Sequence, residues 1–117
     1  MTAGGMIDFD HLEKYVAGDD MLRDEILEIF SEQVSLLLDQ FDVFQTDDAW
    51  KDTAHTLKGA ARGVGAWGLG KTCEEAEALI GNAPGKQEAR ATLLVSLRML
   101  ASNAIDEAKR FRLAAAI

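Results

Sequence analysis

The sequence predicts an all-α protein, an up-down antiparallel four-helix bundle with a short additional N-terminal helix packed across it. Three observations carry this. Apolar residues recur at three- and four-residue steps through most of the chain. The breaks between those runs are short and marked by Gly, Asp or the single Pro. No stretch shows the strict alternation of a half-buried strand.

Taken in order, Phe9, Leu12 and Val16 predict a short opening helix that stops near Gly18. Asp19 or Asp20 can cap the next one, since a carboxylate accepts from the free N–H groups of a first turn. Leu22, Ile26, Ile29, Phe30, Val34, Leu37 and Phe41 then extend a long amphipathic helix to about Phe44. After the loop "QTDD", Thr46, Asp47 or Asp48 caps a third helix with its apolar line at Trp50, Ala54, Leu57, Ala61 and Val64. The glycines between 63 and 70 predict a bend near Gly68. A fourth helix turns Leu69, Cys73, Ala76 and Ile80 inward and closes at "GNAPG". The last runs from about Lys86 to Phe111 on Leu93, Leu97, Leu100, Ala104, Ala108 and Phe111.

At 117 residues the chain holds one domain, read as residues 8–117 behind a flexible leader at 1–7. A hydrophobic content of 48% with one proline excludes a disordered or loop-dominated protein. The net charge of −8 argues against a nucleic-acid binder, which needs a basic surface. Cys73 is the one cysteine, so no internal disulfide forms, and a reducing cytoplasm is expected. No apolar run approaches the roughly 20 residues that cross a bilayer, and "MTAGGMIDFD" lacks a secretory pattern. A monomer is expected.

"GAWGLGKT" at 65–72 is a literal phosphate-loop pattern, and Gly63, Gly65 and Gly68 also spell a dinucleotide fingerprint. Both depend on a buried strand feeding a helix N-terminus, where free N–H groups meet phosphate. The residues before it, "AHTLKGAARGV", have helical period instead. The nucleotide reading is therefore rejected, and no metal site or cofactor is expected in this chain.

The chemistry is richer just upstream. His55, Lys58, Gly59 and Arg62 fall at i, i+3, i+4 and i+7, one face of a helix offset from its apolar line. Between 51 and 71 the cations Lys51, Lys58, Arg62 and Lys71 stand against Asp52 alone, an anion-facing patch in an acidic chain. Gly59 costs about 1 kcal/mol mid-helix against Ala, and its return is open space beside the imidazole. This suits phosphoryl transfer to histidine: a neutral imidazole nitrogen is a nucleophile near neutral pH, and nearby cations offset the charge on the transferring group.

At these residues the sequence resembles the histidine-containing phosphotransfer (HPt) family of two-component phosphorelays. "AHTLKGAARGVGAWGLGKTCEEAE" carries the pattern through His55, Leu57-Lys58-Gly59, Gly65-Ala66, Leu69, Cys73 and Glu77. The resemblance extends over nearly the whole chain past residue 7. It implies that His55 accepts a phosphoryl group from the aspartate of a receiver domain and passes it to another. Lys58 would neutralise the phosphate and Gly59 leave room for it, with Nε2 as the acceptor nitrogen. Lys51, Arg62, Ala66 and Lys71 are the expected partner-docking residues. Expected partners are receiver domains or a hybrid histidine kinase, with Mg²⁺ supplied by the receiver's acidic site. Ala60 stands where the family commonly has serine, and Trp67-Gly68 where smaller or more polar residues are usual.

A stand-alone phosphocarrier, not an enzyme, is thus the expected function; the alternative is a helical adaptor that binds receivers or other signalling partners without phosphotransfer. Other residues read more plainly. His11 is surface, Cys73 and Trp50 are core, and Asp24, Glu25, Glu28 and Glu32 form a solvated face. Lys71 also suits a helix start, and Trp67 is either a plug at the bend or a partner contact.

Overall fold

The computed structural model describes residues 6–116. Five helices, α1 Phe9–Val16, α2 Asp20–Gln40, α3 Asp47–Gly63, α4 Trp67–Glu77 and α5 Lys86–Ala116, account for the regular structure, with no strand among the described residues. Helix α2 packs on α3 and α5, α4 packs on the same two, and α1 lies against α2. The apolar line expected in α3 and part of that expected in α5 converge on one core, in which Trp50, Leu57, Leu97, Ala104 and Ala108 are fully buried; Leu93, Leu100 and Phe111 are only half-buried, and Leu94 and Ala101 take the inward places instead.

Three helices start on side-chain caps. Asp8 accepts from the N–H of His11, Asp19 from Leu22 and Thr46 from Ala49, each relieving a donor that the first turn leaves unpaired. Helix α4 begins at Ala66 without one.

Helix α2 stops at Gln40, short of the expected Phe44. Phe41 turns extended and sinks under Trp50, its ring 5.0 Å away edge to face, so the chain must leave the helix there. Helix α4 likewise ends before "GNAPG", because Ala78 and Leu79 donate to Glu75 and Ala76 in a tighter three-residue turn. That turn aims the Leu79 carbonyl at Arg90. Ile80, expected inward on α4, is half-buried beyond its end.

Residues 1–5 of the expected leader lie outside the described residues. Met6 and Ile7 are held: their N–H groups each donate 2.9 Å to the Glu107 carboxylate, and the Ile7 side chain is buried. Helix α1 is fixed by Arg23, which binds Glu13, Asp20 and Asp24 and lies 4.9 Å over the Phe111 ring. Phe111 in turn stacks on Phe9 at 4.1 Å. Asp24, read as part of a solvated face, is half-buried in this cluster.

The expected bend near Gly68 sits earlier, at Val64–Ala66. Gly65 takes φ +77°, its N–H donates to Arg62 and the N–H of Ala66 donates to Ala61, closing α3 in a Schellman motif. A side chain at 65 would also strike Asp8, whose Cβ would lie 2.8 Å from the new Cβ. Gly68 is inside α4.

Arg90 is almost wholly buried on the α5 stripe and uses every face of its guanidinium. Nε donates to Leu79 O, Nη1 to the carbonyls of Val43 and Gln45, and Nη2 to Asp47 Oδ1 at 2.8 Å. Its plane also lies 4.6 Å over the Trp50 ring. Replacing one partner of such a network strands the others without water. Arg90→Met is therefore expected to cost about 3 kcal/mol, read as a lower midpoint in urea unfolding at an unchanged slope.

Candidate functional site

His55 lies in the third turn of α3, one residue off the buried line of Ala54 and Leu57, so its side chain is 69% exposed. The site around it is built by α4, which runs back along α3. Trp50 Nε1 donates 2.7 Å to the carbonyl of Ala76, and the next residue, Glu77, turns its carboxylate toward α3. Glu77 Oε2 lies 3.3 Å from His55 Nδ1, and Oε1, buried, meets Lys58 Nζ at 2.5 Å. The Lys58 and Glu77 side chains are only 16% and 15% exposed. Burial alone pushes the Glu77 carboxyl up, but the hydrogen bonds and charges of Lys58 and His55 outweigh it and hold it below its usual range.

A carboxylate beside Nδ1 favours the imidazole form with its proton on that nitrogen. The lone pair is then on Nε2, the nitrogen not facing Glu77. The sequence names Glu77 within the pattern and gives it no task. Helical spacing cannot show that a residue 22 positions later returns to the same side.

Gly59, one turn beyond His55, is exposed, and a methyl group there would meet no atom within 4 Å. Among the described residues nothing demands this glycine. It borders an apolar depression of about 230 Å³ lined by Tyr15, Ile26, Ile29, Phe30, Gly59 and Gly63, among others. Ile29, expected in the core, is exposed on its rim.

The other side of His55 is charged and largely self-compensated. The patch of four cations read from the sequence is reduced by α4: Lys58 is held by Glu77, and Arg62 by Glu74 at 2.5 Å. The Arg62 stem crosses Gly70 closely, where a Cβ would lie 3.2 Å from its Cγ and the arginine would have to shift by a few tenths of an ångström. Lys51 and Lys71 are exposed and, among the described residues, unpaired. Ala66, expected to touch a partner, is fully buried and is corrected to a core residue of the α3–α4 bend.

Within "GAWGLGKT" the phosphate-loop geometry is absent. Helix α3, not a strand, precedes it, the N–H groups of Gly65 and Ala66 are spent on α3, and residues 67–72 are the first turns of α4. Trp67 is neither plug nor free contact: half-exposed, it donates from its indole to Asp8 Oδ2 and meets the edge of His11, which is half-buried there. That indole bond, with the His11 N–H, holds the Asp8 carboxyl below its usual range. Burial lifts the Cys73 thiol to about 12, which leaves it neutral and inert, as its inward position predicts. No cluster of three or more metal-ligating side chains occurs among the described residues, and none of their helices is long and apolar enough to cross a membrane.

The Hpt domain family matches residues 20–110. A solved structure, the histidine phosphotransferase ShpA from Caulobacter crescentus, is similar at 41% sequence identity. The match covers 91% of this chain and 97% of that one, with a TM-score of 0.59. A comparison with curated proteins finds no match. With its helices, its exposed histidine and a family match over most of its length, the chain belongs to the Hpt domain family.

Proposed function

We propose that this protein is a cytoplasmic phosphocarrier in which His55 shuttles a phosphoryl group between aspartates of receiver domains. The observation that carries this is the placement of an exposed imidazole whose Nδ1 faces a lysine-bound carboxylate. The scaffold is read as an up-down four-helix bundle with α1 across it.

A receiver would seat an apolar surface on the depression at Gly59, bringing its aspartyl phosphate over His55. Nε2 attacks phosphorus in line, the P–N bond forms, and the P–O bond to the aspartate breaks to release a carboxylate. The imidazole gains positive charge, and Glu77 stabilises it through the Nδ1 proton that it keeps. In the reverse step the second receiver's aspartate attacks, and the neutral imidazole leaves. Lys58, near the phosphoryl group, offsets its charge. Lys51, Arg62 and Lys71 would meet the receiver's rim. The Mg²⁺ for both steps would come from the receiver's acidic site, and the chain itself needs no nucleotide or cofactor.

Incubation with an aspartyl-phosphorylated receiver is expected to give acid-labile, alkali-stable phosphate on the protein, and none on His55→Gln. A receiver that binds without label would leave the adaptor reading in its place. Gly59→Ala separates stability from docking. It is expected to raise unfolding stability by about 1 kcal/mol, because alanine is the better helix former and nothing obstructs it. The same change is expected to slow phosphotransfer; an unchanged rate would show that the opening at 59 serves no partner.

Glu77 sets an acid limb. Its carboxyl titrates lower in the folded protein than its ordinary value of 4.5. Its contribution is therefore complete above that ordinary value and is lost as pH falls through the lower folded one. In urea titrations between pH 7 and about 3, Glu77→Gln is expected to lose less stability on acidification than the wild type. Parallel curves would remove the carboxylate from this role.

A further inference from the structure

The side of the molecule away from the α3–α4 pair carries unpaired charge of opposite sign on two neighbouring helices. On α2, Glu32 and Asp39 are exposed seven residues apart, a step that returns to nearly the same side of a helix. On α5, Arg98 and Lys109 are exposed eleven residues apart, equally in line. Among the described residues none of these four has an ion-pair partner.

Glu32 and Lys109 stand on opposite banks of one groove, and Asp39 and Arg98 continue their two helix faces beyond it. Glu28 meets Arg112 at 3.6 Å, while Arg90 reaches the carbonyls of Val43 and Gln45 at the other end, so α5 runs back along α2. Between them lies an open groove of about 540 Å³, mostly apolar, lined by Ser31, Glu32, Ser35, Leu36, Ile105 and Lys109. Each step up α2 is a step down α5. Counted from the Glu28–Arg112 contact at about 1.5 Å per residue, Glu32 falls near the level of Lys109, Leu36 near Ile105, and Asp39 near Ser102, about one helical turn from Arg98. Leu36 is 64% exposed there, and on the outer side of α5 Val95 and Met99 are 69% and 58% exposed. His55, Lys58 and Glu77 lie on α3 and α4, away from this face, and the depression at Gly59 shares only α2 with it, through Ile26, Ile29 and Phe30.

We propose that this face binds a second copy of the chain, about a two-fold axis parallel to the helices. Such a rotation exchanges left and right but keeps height. It sets the acidic bank of each copy against the basic bank of the other, with Glu32 opposite Lys109, Leu36 opposite Ile105, and Asp39 within an arginine's reach of Arg98. An isologous contact of this kind is self-complementary. A partner of one sign would satisfy one bank and be repelled by the other, whereas a second copy satisfies both. The net charge of −8 opposes association at long range. Beyond a Debye length of about 10 Å at 0.1 M salt that repulsion is screened, while the contact pairs are screened less. The dimer leaves the His55 side chains on α3 outward, and it does not rest on their function.

Sedimentation equilibrium of the whole protein tests this. Twice the monomer mass is expected as the concentration approaches roughly 1 mM in 0.1 M salt, with clear weakening in about 1 M salt. A wild type that stays monomeric over that range, or associates equally in both salts, overturns the proposal. Two double variants then examine the pairing. One carries Glu32→Lys and Asp39→Lys; the other carries Arg98→Glu and Lys109→Glu. All four sites are exposed, and circular dichroism checks that the helices are kept. Each variant alone is expected to be monomeric, and an equimolar mixture is expected to restore a one-to-one dimer. Self-association of either variant at wild-type strength, or no dimer in the mixture, overturns the two-fold pairing of the banks.

Discussion

The arrangement of the site depends on one buried cation. Arg90 ties three segments to α5: the α2–α3 loop through Val43 and Gln45, α3 through Asp47 and the Trp50 ring beneath its plane, and the turn after α4 through Leu79. A guanidinium is suited to this because its donors form a fixed planar fork and its face stacks on an aromatic. Trp50 passes the constraint on, since its indole binds the Ala76 carbonyl, one residue before Glu77. The register of α4 against α3 is therefore set near Trp50, and the carboxylate arrives beside His55 as a consequence. Asp47 shares in this, bonded also to Lys86 and the Gly81 N–H, and those contacts hold its carboxyl below the usual range.

The far end of the same helix pair is fixed by different means. The Schellman turn at Gly65 reverses the chain without a side chain, and Asp8 crosses it twice, through its N–H to the Gly65 carbonyl and its carboxylate to Trp67. Gly70 lets Arg62 lie flat over α4 and reach Glu74. Three of the glycines that spell a nucleotide motif thus have distinct places: Gly65 makes the turn, Gly70 makes room, and Gly68 lies exposed within α4. The textual match arose because a bend followed by a close helix contact uses the same small residue as a phosphate loop.

Much of this is legible in the sequence. The buried line of α3 follows from period alone, and so does the outward position of His55, one step off Ala54 and Leu57; on α5 period finds Leu97, Ala104 and Ala108 but takes the half-buried Leu93 and Leu100 for the buried Leu94 and Ala101. Helix ends are less legible, because the residues that stop α2 and α4 do so through distant partners: Phe41 by entering the core under Trp50, Leu79 by turning its carbonyl to Arg90. Ala66 escapes a sequence reading for a related reason. A small residue beside a bend reads equally well as exposed or buried, and only the contact with Ala61 and the core decides it. Arg90 does leave a trace, since it continues the buried steps of Leu94, Leu97, Ala101, Ala104 and Ala108. An arginine on such a line is either a snorkelling rim residue or a buried hub, and period does not separate the two.

The charge around His55 carries the last step. Counting along α3 alone gives a cationic face, yet α4 returns Glu77 to Lys58 and Glu74 to Arg62. Free cations on long stems would attract any anion and lose side-chain entropy when one bound. Held cations present fixed donors whose charge is already balanced, so a small anion gains less by approaching. On the proposed function, a phosphoryl group delivered on a docked partner would arrive close to Lys58 regardless of that balance. It competes with Glu77 for the ammonium only once it is in place. The compensating carboxylates would therefore favour a phosphate presented by a surface that fits the apolar depression over one that diffuses in from solution, and on the proposed function selectivity would lie in docking, not in attraction.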